Sequence, residues 1–229
     1  FNDAITSFEK AIALNPEFDL ALMKIGLVYF EKEDYSTAQK FLLKAYSFEK
    51  GSFDTDTIFH LGLTYLKLKQ YDDAVNYFEQ CLKIEPEHIA AINGLGVVYK
   101  EKSQFDKAID FFKKALEIRS DFYDTLFNLG SCYTSIHRYQ EALNYLLAAQ
   151  KIKPDYPELF NELGIFYDAT GQFDLALLNY EKAIELKTDY TLAIYNMSLT
   201  QLKVGQIKEG ALNNEYRWEQ DSFPSPRRT

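Results

Sequence analysis

Apolar residues along the chain recur at intervals of three and four, as in LFNLGSCYTSI and YQEALNYLLAAQKI, the spacing that gives a helix one apolar face. No stretch alternates apolar and polar residues as a half-buried strand does. Short polar joints such as KLKQ and TGQ separate the helical stretches, so the pattern predicts helices arranged in pairs. Small residues punctuate them at a fixed period. IGLVY, LGLTY, LGVVY, LGSCY and LGIFY place glycine at 26, 62, 96, 130 and 164, spacings of 36, 34, 34 and 34, and Ser198 holds the sixth position. Twelve residues after each stands a small residue: Ala38, Ala74, Ala108, Ala142, Ala176 and Gly210. Sixteen after stand Leu42, Phe78, Phe112, Leu146 and Tyr180, and nineteen after stand Ala45, Cys81, Ala115, Ala149 and Ala183. Small columns let helix axes approach, and bulky columns fill the gaps between them. Pro86 and Pro154, with Ser120 and Thr188 in the same column, fall where the second helix should stop. Pro157 sits where a first-turn proline is tolerated. One such pair buries too little to stand alone, so stability must come from stacking neighbours.

With its glycine, tyrosine, alanine and phenylalanine columns in register over residues 1 to about 220, the sequence resembles the tetratricopeptide repeat (TPR) family. The resemblance implies an all-α, right-handed superhelical solenoid of antiparallel helix pairs. Full copies are expected over 19–54, 55–88, 89–122, 123–156 and 157–190, with an atypical terminal repeat or cap over 191–220 and a tail or linker over 221–229. The opening FNDAITSFEKAIALNP carries Ala4, Phe8, Ala11 and Pro16 in second-helix columns. Residues 1–18 therefore read as the second helix of a truncated repeat, and the parent protein is expected to extend further toward its N-terminus. Such a truncation should leave Ile5 and Phe8 on an exposed apolar edge, prone to self-association.

Composition narrows the function. No apolar run approaches the ~18–20 residues of a membrane span, and no leader pattern is present, which suits a cytoplasmic protein. A net charge of −9 argues against a nucleic-acid partner, because phosphate neutralisation needs clustered Lys and Arg. Arg227 and Arg228 are too short a run to reverse that. Cys81 and Cys132 occupy small-residue packing positions and read as buried structural thiols. His60, His88 and His137 lack metal-ligand spacing, no glycine-rich phosphate loop is present, and pairs such as Asp72–Asp73 sit at helix starts, where they suit the dipole. The chain has no catalytic constellation, and no metal or cofactor is implied.

The resemblance implies a groove lined by the first helices of successive repeats, whose outward columns are the candidate binding residues. These are Met23, Leu27 and Phe30; Phe59, Leu63 and Leu66; Asn93; Phe127, Asn128 and Ser131; Asn161; and Tyr195 and Asn196. Met23, Phe59, Phe127 and Tyr195 are the expected exposed anchors, since aromatic residues supply large contact area at modest entropy cost. Leu27, Leu63, Val97, Ile165 and Leu199 can instead pack sideways between helices. Asp124, Glu158 and Glu162 make the middle of the chain acidic. The family's carboxylate clamp, which grips acidic chaperone tails, is missing: its columns hold Met23, Leu27, His60, Ala90 and Gly94. Such a tail is not the expected partner. The pattern predicts a protein–protein interaction scaffold that holds a peptide or helix of another protein.

The C-terminal EGALNNEYRW, with Glu209, Gly210, Glu215, Arg217 and Trp218, also resembles the segment leading into O-GlcNAc-transferase-like domains in some TPR proteins. Ala211 and Asn214 depart from the aromatics of that pattern, and the asparagine ladder of those transferases is reduced to Asn128 and Asn196. The alternative this leaves is the substrate-recognition arm of a larger glycosyltransferase.

Overall fold

The computed structural model describes residues 2–15, 17–48 and 55–216, with the side chains of all but 2–4, 215 and 216 among them. Pro16, Arg217, Trp218 and the FPSPRR run lie outside the described residues, as do the side chains of Ala4 and Glu215. The described residues form thirteen helices and no strand: α1 (Asn2–Leu14), α2 (Asp19–Glu31), α3 (Tyr35–Phe48), α4 (Thr55–Lys67), α5 (Tyr71–Ile84), α6 (Ile89–Glu101), α7 (Phe105–Ile118), α8 (Tyr123–Ser135), α9 (Tyr139–Ile152), α10 (Pro157–Ala169), α11 (Phe173–Leu186), α12 (Thr191–Lys203) and α13 (Ile207–Tyr216). They divide into two compact units, α1–α7 within Phe1–Ser120 and α8–α13 within Asp121–Thr229. The protein has an all-α helical repeat fold.

Each pair is locked by a small residue facing a large one. A Cβ added at Gly62 would lie 2.7 Å from the Phe78 ring, at Gly96 2.4 Å from the Phe112 ring, and at Gly164 2.4 Å from the Tyr180 ring. Gly26 and Gly130 face Leu42 and Leu146 in the same way, at 2.7 and 2.6 Å. The bulky partners Leu42, Phe78, Phe112, Leu146 and Tyr180 are all buried, so the glycine and the residue sixteen positions on form one contact that brings the paired axes together. Phe78 also presses on Gly94 of the next pair, where a Cβ would sit 2.6 Å from its ring.

A second column is less evident in the sequence. The tyrosine three after each glycine stacks on a ring in the second helix: Tyr29 on Phe41 at 5.7 Å, Tyr65 on Tyr77 at 5.1 Å, Tyr99 on Phe111 at 5.4 Å and Tyr133 on Tyr145 at 5.6 Å. Asn179 takes the fifth place and bonds its amide to the Leu175 carbonyl.

The joints repeat as well. Each first helix from α2 to α12 is followed, two residues on, by a residue of positive φ, namely Glu33, Lys69, Ser103, His137, Gly171 and Gly205. In the first five joints the next amide reaches back to the tyrosine carbonyl, as Gln70 N to Tyr65 O at 2.9 Å and Arg138 N to Tyr133 O at 2.9 Å. This is a Schellman stop, which usually favours glycine at the left-handed position. Between neighbouring pairs, Tyr46 Oη donates to Gln80 Oε1 at 2.9 Å and Lys102 pairs with Asp72 at 2.9 Å in unit 1. In unit 2, Thr200 donates to Asp168 at 2.7 Å.

The N-terminal edge differs from expectation. Ile5 is buried at 9% exposure and Phe8 is half-buried, because α1 packs against α2. Among the described side chains of α1, the large apolar one left exposed is Leu14, at 89%.

Candidate functional site

In unit 1 the first helices α2, α4 and α6 lie in sequence, each touching the next. Phe30 is half-buried and meets Tyr35 edge-on at 5.3 Å. Leu27 packs beside the core formed by Leu22, Leu42 and Leu61. Phe59, Leu63 and Leu66 are half-buried against the core around Phe78. The Phe59 ring lies 6.0 Å from Phe78 and 5.0 Å from His88, so it is partly a core residue and partly a surface one. Asn93 and Val97 are also half-buried. Met23 corrects the expectation of an exposed anchor. It is 4% exposed and enclosed with Leu22, Leu42, Ala45 and Leu61, because α1, α3 and α4 close over that side of α2.

In unit 2 the corresponding helices are α8, α10 and α12, again in contact in that order. Phe127, Ser131, Ile165, Tyr195 and Asn196 are half-buried, and Leu199 is 37% exposed. Asn128 and Asn161, expected on an open surface, are buried at 8% and 4%. Hydrogen bonding explains the burial: Asn128 Nδ2 donates to the Asp124 carbonyl at 2.8 Å, and Asn196 Nδ2 donates to Asn161 Oδ1 at 2.9 Å. Asp168 is committed to Thr200 and to an ion pair with Lys203. The amides thus tie down groups that burial would otherwise penalise, within α8 and between α10 and α12.

Several features were not singled out from the sequence. His88 caps α6, its Nδ1 accepting from Ala91 N at 3.1 Å. Glycine stands at Gly94, in the asparagine-ladder column, because Phe78 occupies the space a side chain would need. In unit 2, Tyr123 at the start of α8 meets the Tyr156 ring edge-on at 5.2 Å, and Lys153 Nζ lies over both rings, at 4.2 and 5.1 Å. Tyr123 replaces the Thr55 and Ile89 of its column, and that departure from the repeat was its available signal. A cleft of about 240 Å³ opens in unit 1 between Leu66, Lys67, Lys69, Tyr71, Val97 and Glu101. One of about 370 Å³ in unit 2 lies beside Gly171, Phe173, Leu175 and Val204.

Cys81 and Cys132 are buried thiols outside any disulfide, and burial pushes Cys81 up to about 12, which keeps it protonated and unreactive at neutral pH. Among the described residues no group of three His, Cys, Asp or Glu side chains is placed to hold a metal ion. No helix among them is long and apolar enough to cross a membrane.

Known proteins place this architecture. Tetratricopeptide repeat models match residues 54–121, 87–155 and 157–190, together more than half of the chain. The model of anaphase-promoting complex, cyclosome, subunit 3 matches residues 1–81. The sequence finds no match among curated proteins. Among solved structures, the APC/C hetero-tetramer Cut9–Hcn1 is 18% identical with a TM-score of 0.76, over 87% of this chain and 39% of that one. The chain thus spans about two fifths of that relative's length. A thermophilic TPR protein of Thermus thermophilus is 19% identical with a TM-score of 0.71, over 80% of this chain and 99% of that one. YrrB, described as a TPR protein with an unusual peptide-binding site, is 23% identical with a TM-score of 0.54, over 82% of this chain and 96% of that one. At these identities the likeness is one of fold. Family models and periodic packing agree, and the chain belongs to the tetratricopeptide repeat family.

Proposed function

We propose that the protein is an interaction scaffold that holds a segment of a partner protein along its first-helix faces. The observation that carries this reading is that each unit has half-buried side chains on its first helices, Phe59, Leu63 and Leu66 in unit 1 and Phe127, Ser131 and Tyr195 in unit 2. Phe59, Leu63 and Leu66 pack against the core around Phe78 and the Phe127 ring stacks on Tyr123, while each keeps part of its surface in solvent. Such residues are already ordered before binding, so they can cover a guest at small entropy cost. YrrB, with its peptide-binding site, and the APC/C hetero-tetramer show what the same fold does in other proteins, and support the reading without fixing the partner here.

Selection from a random peptide library tests it. The intact protein is expected to enrich a defined set of sequences, and Phe59→Ala with Phe127→Ala is expected to weaken their binding at least roughly tenfold while helical content is kept. Enrichment that survives the double substitution unchanged would remove these faces from the site.

The alternative, a substrate-recognition arm of a larger glycosyltransferase, is supported by EGALNNEYRW alone. Reading the parent gene past Thr229 tests it directly.

A further inference from the structure

We propose that the starts of α8 and α10 form a seat for an arginine carried by a basic segment of the partner, with its guanidinium on the Tyr123–Tyr156 ring pair and between the carboxylates of Asp124 and Glu158. The proposal rests on the scaffold reading and adds to it the chemistry of the guest.

Three independent observations meet at this place. First, a cation already sits there. The ammonium of Lys153, the residue just after α9, lies 4.2 Å from the centre of the Tyr123 ring and 5.1 Å from that of Tyr156. The faces of aromatic rings attract cations, and this ring pair does so within its own chain. Second, Tyr123 is 4% exposed, yet its buried hydroxyl has no hydrogen-bond partner. The Lys153 ammonium lies over the ring and leaves the hydroxyl unmet. A buried polar group without a partner is costly, and a phenol oxygen can accept from an N–H donor. Third, Asp124 and Glu158 stand at the first turns of α8 and α10, and neither enters an ion pair with a described residue. Both lie near enough to raise the pKa of the two phenols alongside burial.

Arginine meets all three features and lysine only part. Its planar guanidinium can lie on a ring while its edge still offers N–H donors to the Tyr123 hydroxyl and to carboxylates. An ammonium on a ring lacks that second, directed set. Lys153 then acts as a resident competitor that a guest arginine must displace. Its long, flexible stem makes that displacement cheap. Unit 1 has no equivalent, since Thr55 and Ile89 stand where Tyr123 does.

Fluorescence anisotropy with labelled Ser/Leu peptides carrying several Arg, several Lys or several Glu residues tests the proposal. The Arg peptide is expected to bind roughly three- to fivefold tighter than the Lys peptide, as cation–π stacking at a part-exposed site allows, and the Glu peptide not at all. Asp124→Asn with Glu158→Gln should weaken the Arg peptide roughly tenfold. The control Glu9→Gln with Glu79→Gln, exposed on α1 and α5 of unit 1, removes the same formal charge outside the seat and should leave it within about twofold. Lys153→Ala should strengthen the Arg peptide, and Tyr156→Leu should erase the preference for Arg over Lys. Equal losses in the acidic pair and its control, or weaker binding in Lys153→Ala, would overturn the seat. A library-selected peptide bound through Phe59 and Phe127, alongside an Arg peptide that does not bind, would refute the seat and leave the scaffold standing. Failure of every peptide would refute both.

Discussion

The first-helix faces of the two units are built alike and carry different chemistry. In unit 1 the first-helix columns hold Leu27, Phe59, Leu63 and Leu66 beside Lys24, Asp56, His60 and Lys100, whereas in unit 2 Phe127 and Tyr195 stand beside Asp124, Glu158, Glu162 and Asn196. Beneath both faces the same contacts recur: a glycine against a side chain sixteen residues on, and a tyrosine stacked on a ring. The packing columns are constrained by distances under 3 Å to any added Cβ. The first-helix positions that stay part-exposed, such as Phe59, Leu66, Phe127 and Tyr195, leave more room to diverge, so the two units share a fold without having to share a guest.

The largest effect should come from breaking the shared layer. Gly96→Ala in unit 1 and Gly164→Ala in unit 2 would each push a Cβ to 2.4 Å from an aromatic ring. Overpacking of this kind costs about 1–3 kcal/mol, less about 1 kcal/mol regained from the helix propensity of alanine. The rings of Phe112 and Tyr180 cannot bend away, while the Leu146 opposite Gly130 can change rotamer. Chemical denaturation should therefore show Gly164→Ala more damaging than Gly130→Ala. Equal and negligible shifts would mean that the helix pairs yield more easily than these contacts imply.

Next in size is the amide pair peculiar to unit 2. Asn196→Ala removes the donor to Asn161 Oδ1, whose side chain is 4% exposed, and leaving a buried acceptor unsatisfied costs about 1–3 kcal/mol. At the same column of unit 1, His60 bonds the Asp56 carbonyl of its own helix from a half-buried position, so His60→Ala should cost less. The two cysteines can report each unit separately. Cys81 in unit 1 and Cys132 in unit 2 are both 0% exposed, and a thiol reagent can reach either one only when the fold around it opens. Asn196→Ala should speed labelling of Cys132 and leave Cys81 unchanged. Acceleration of both would show that the units open together.

These contrasts explain what could be read from the sequence. The helix pairs were legible because a column filled every thirty-four residues by Gly, Ala or a bulky side chain has few physical meanings other than close packing. The second aromatic column, Phe41, Tyr77, Phe111 and Tyr145, is equally periodic but lies one residue from the stronger bulky column, which masks it. Burial of Met23, Asn128 and Asn161 was not legible, because it depends on which neighbouring helix closes over each position and on bonds to partners up to 35 residues away. The Tyr123–Tyr156 pair escaped for the opposite reason. It is a departure from the repeat, and a periodic pattern is silent about its exceptions.

The smallest effect lies in the turns and bears on the two units equally. Lys69 in unit 1 and His137 in unit 2 both take φ near +60° at the end of a first helix, where Gly171 and Gly205 do the same without steric cost. A non-glycine residue there costs about 1 kcal/mol, partly offset by the greater freedom that glycine loses on folding. Lys69→Gly is thus expected to stabilise by roughly 0.5 kcal/mol. At His137 the gain should be smaller still, because its Nδ1 lies 2.8 Å from the Tyr139 hydroxyl and its ring meets that of Tyr139 edge-on, contacts that glycine would forfeit. Cys81 labelling should slow in Lys69→Gly, while Cys132 labelling stays nearly level in His137→Gly. If the histidine substitution gave the larger protection, its contacts to Tyr139 would contribute nothing to the turn, and backbone strain alone would set the stability of these joints.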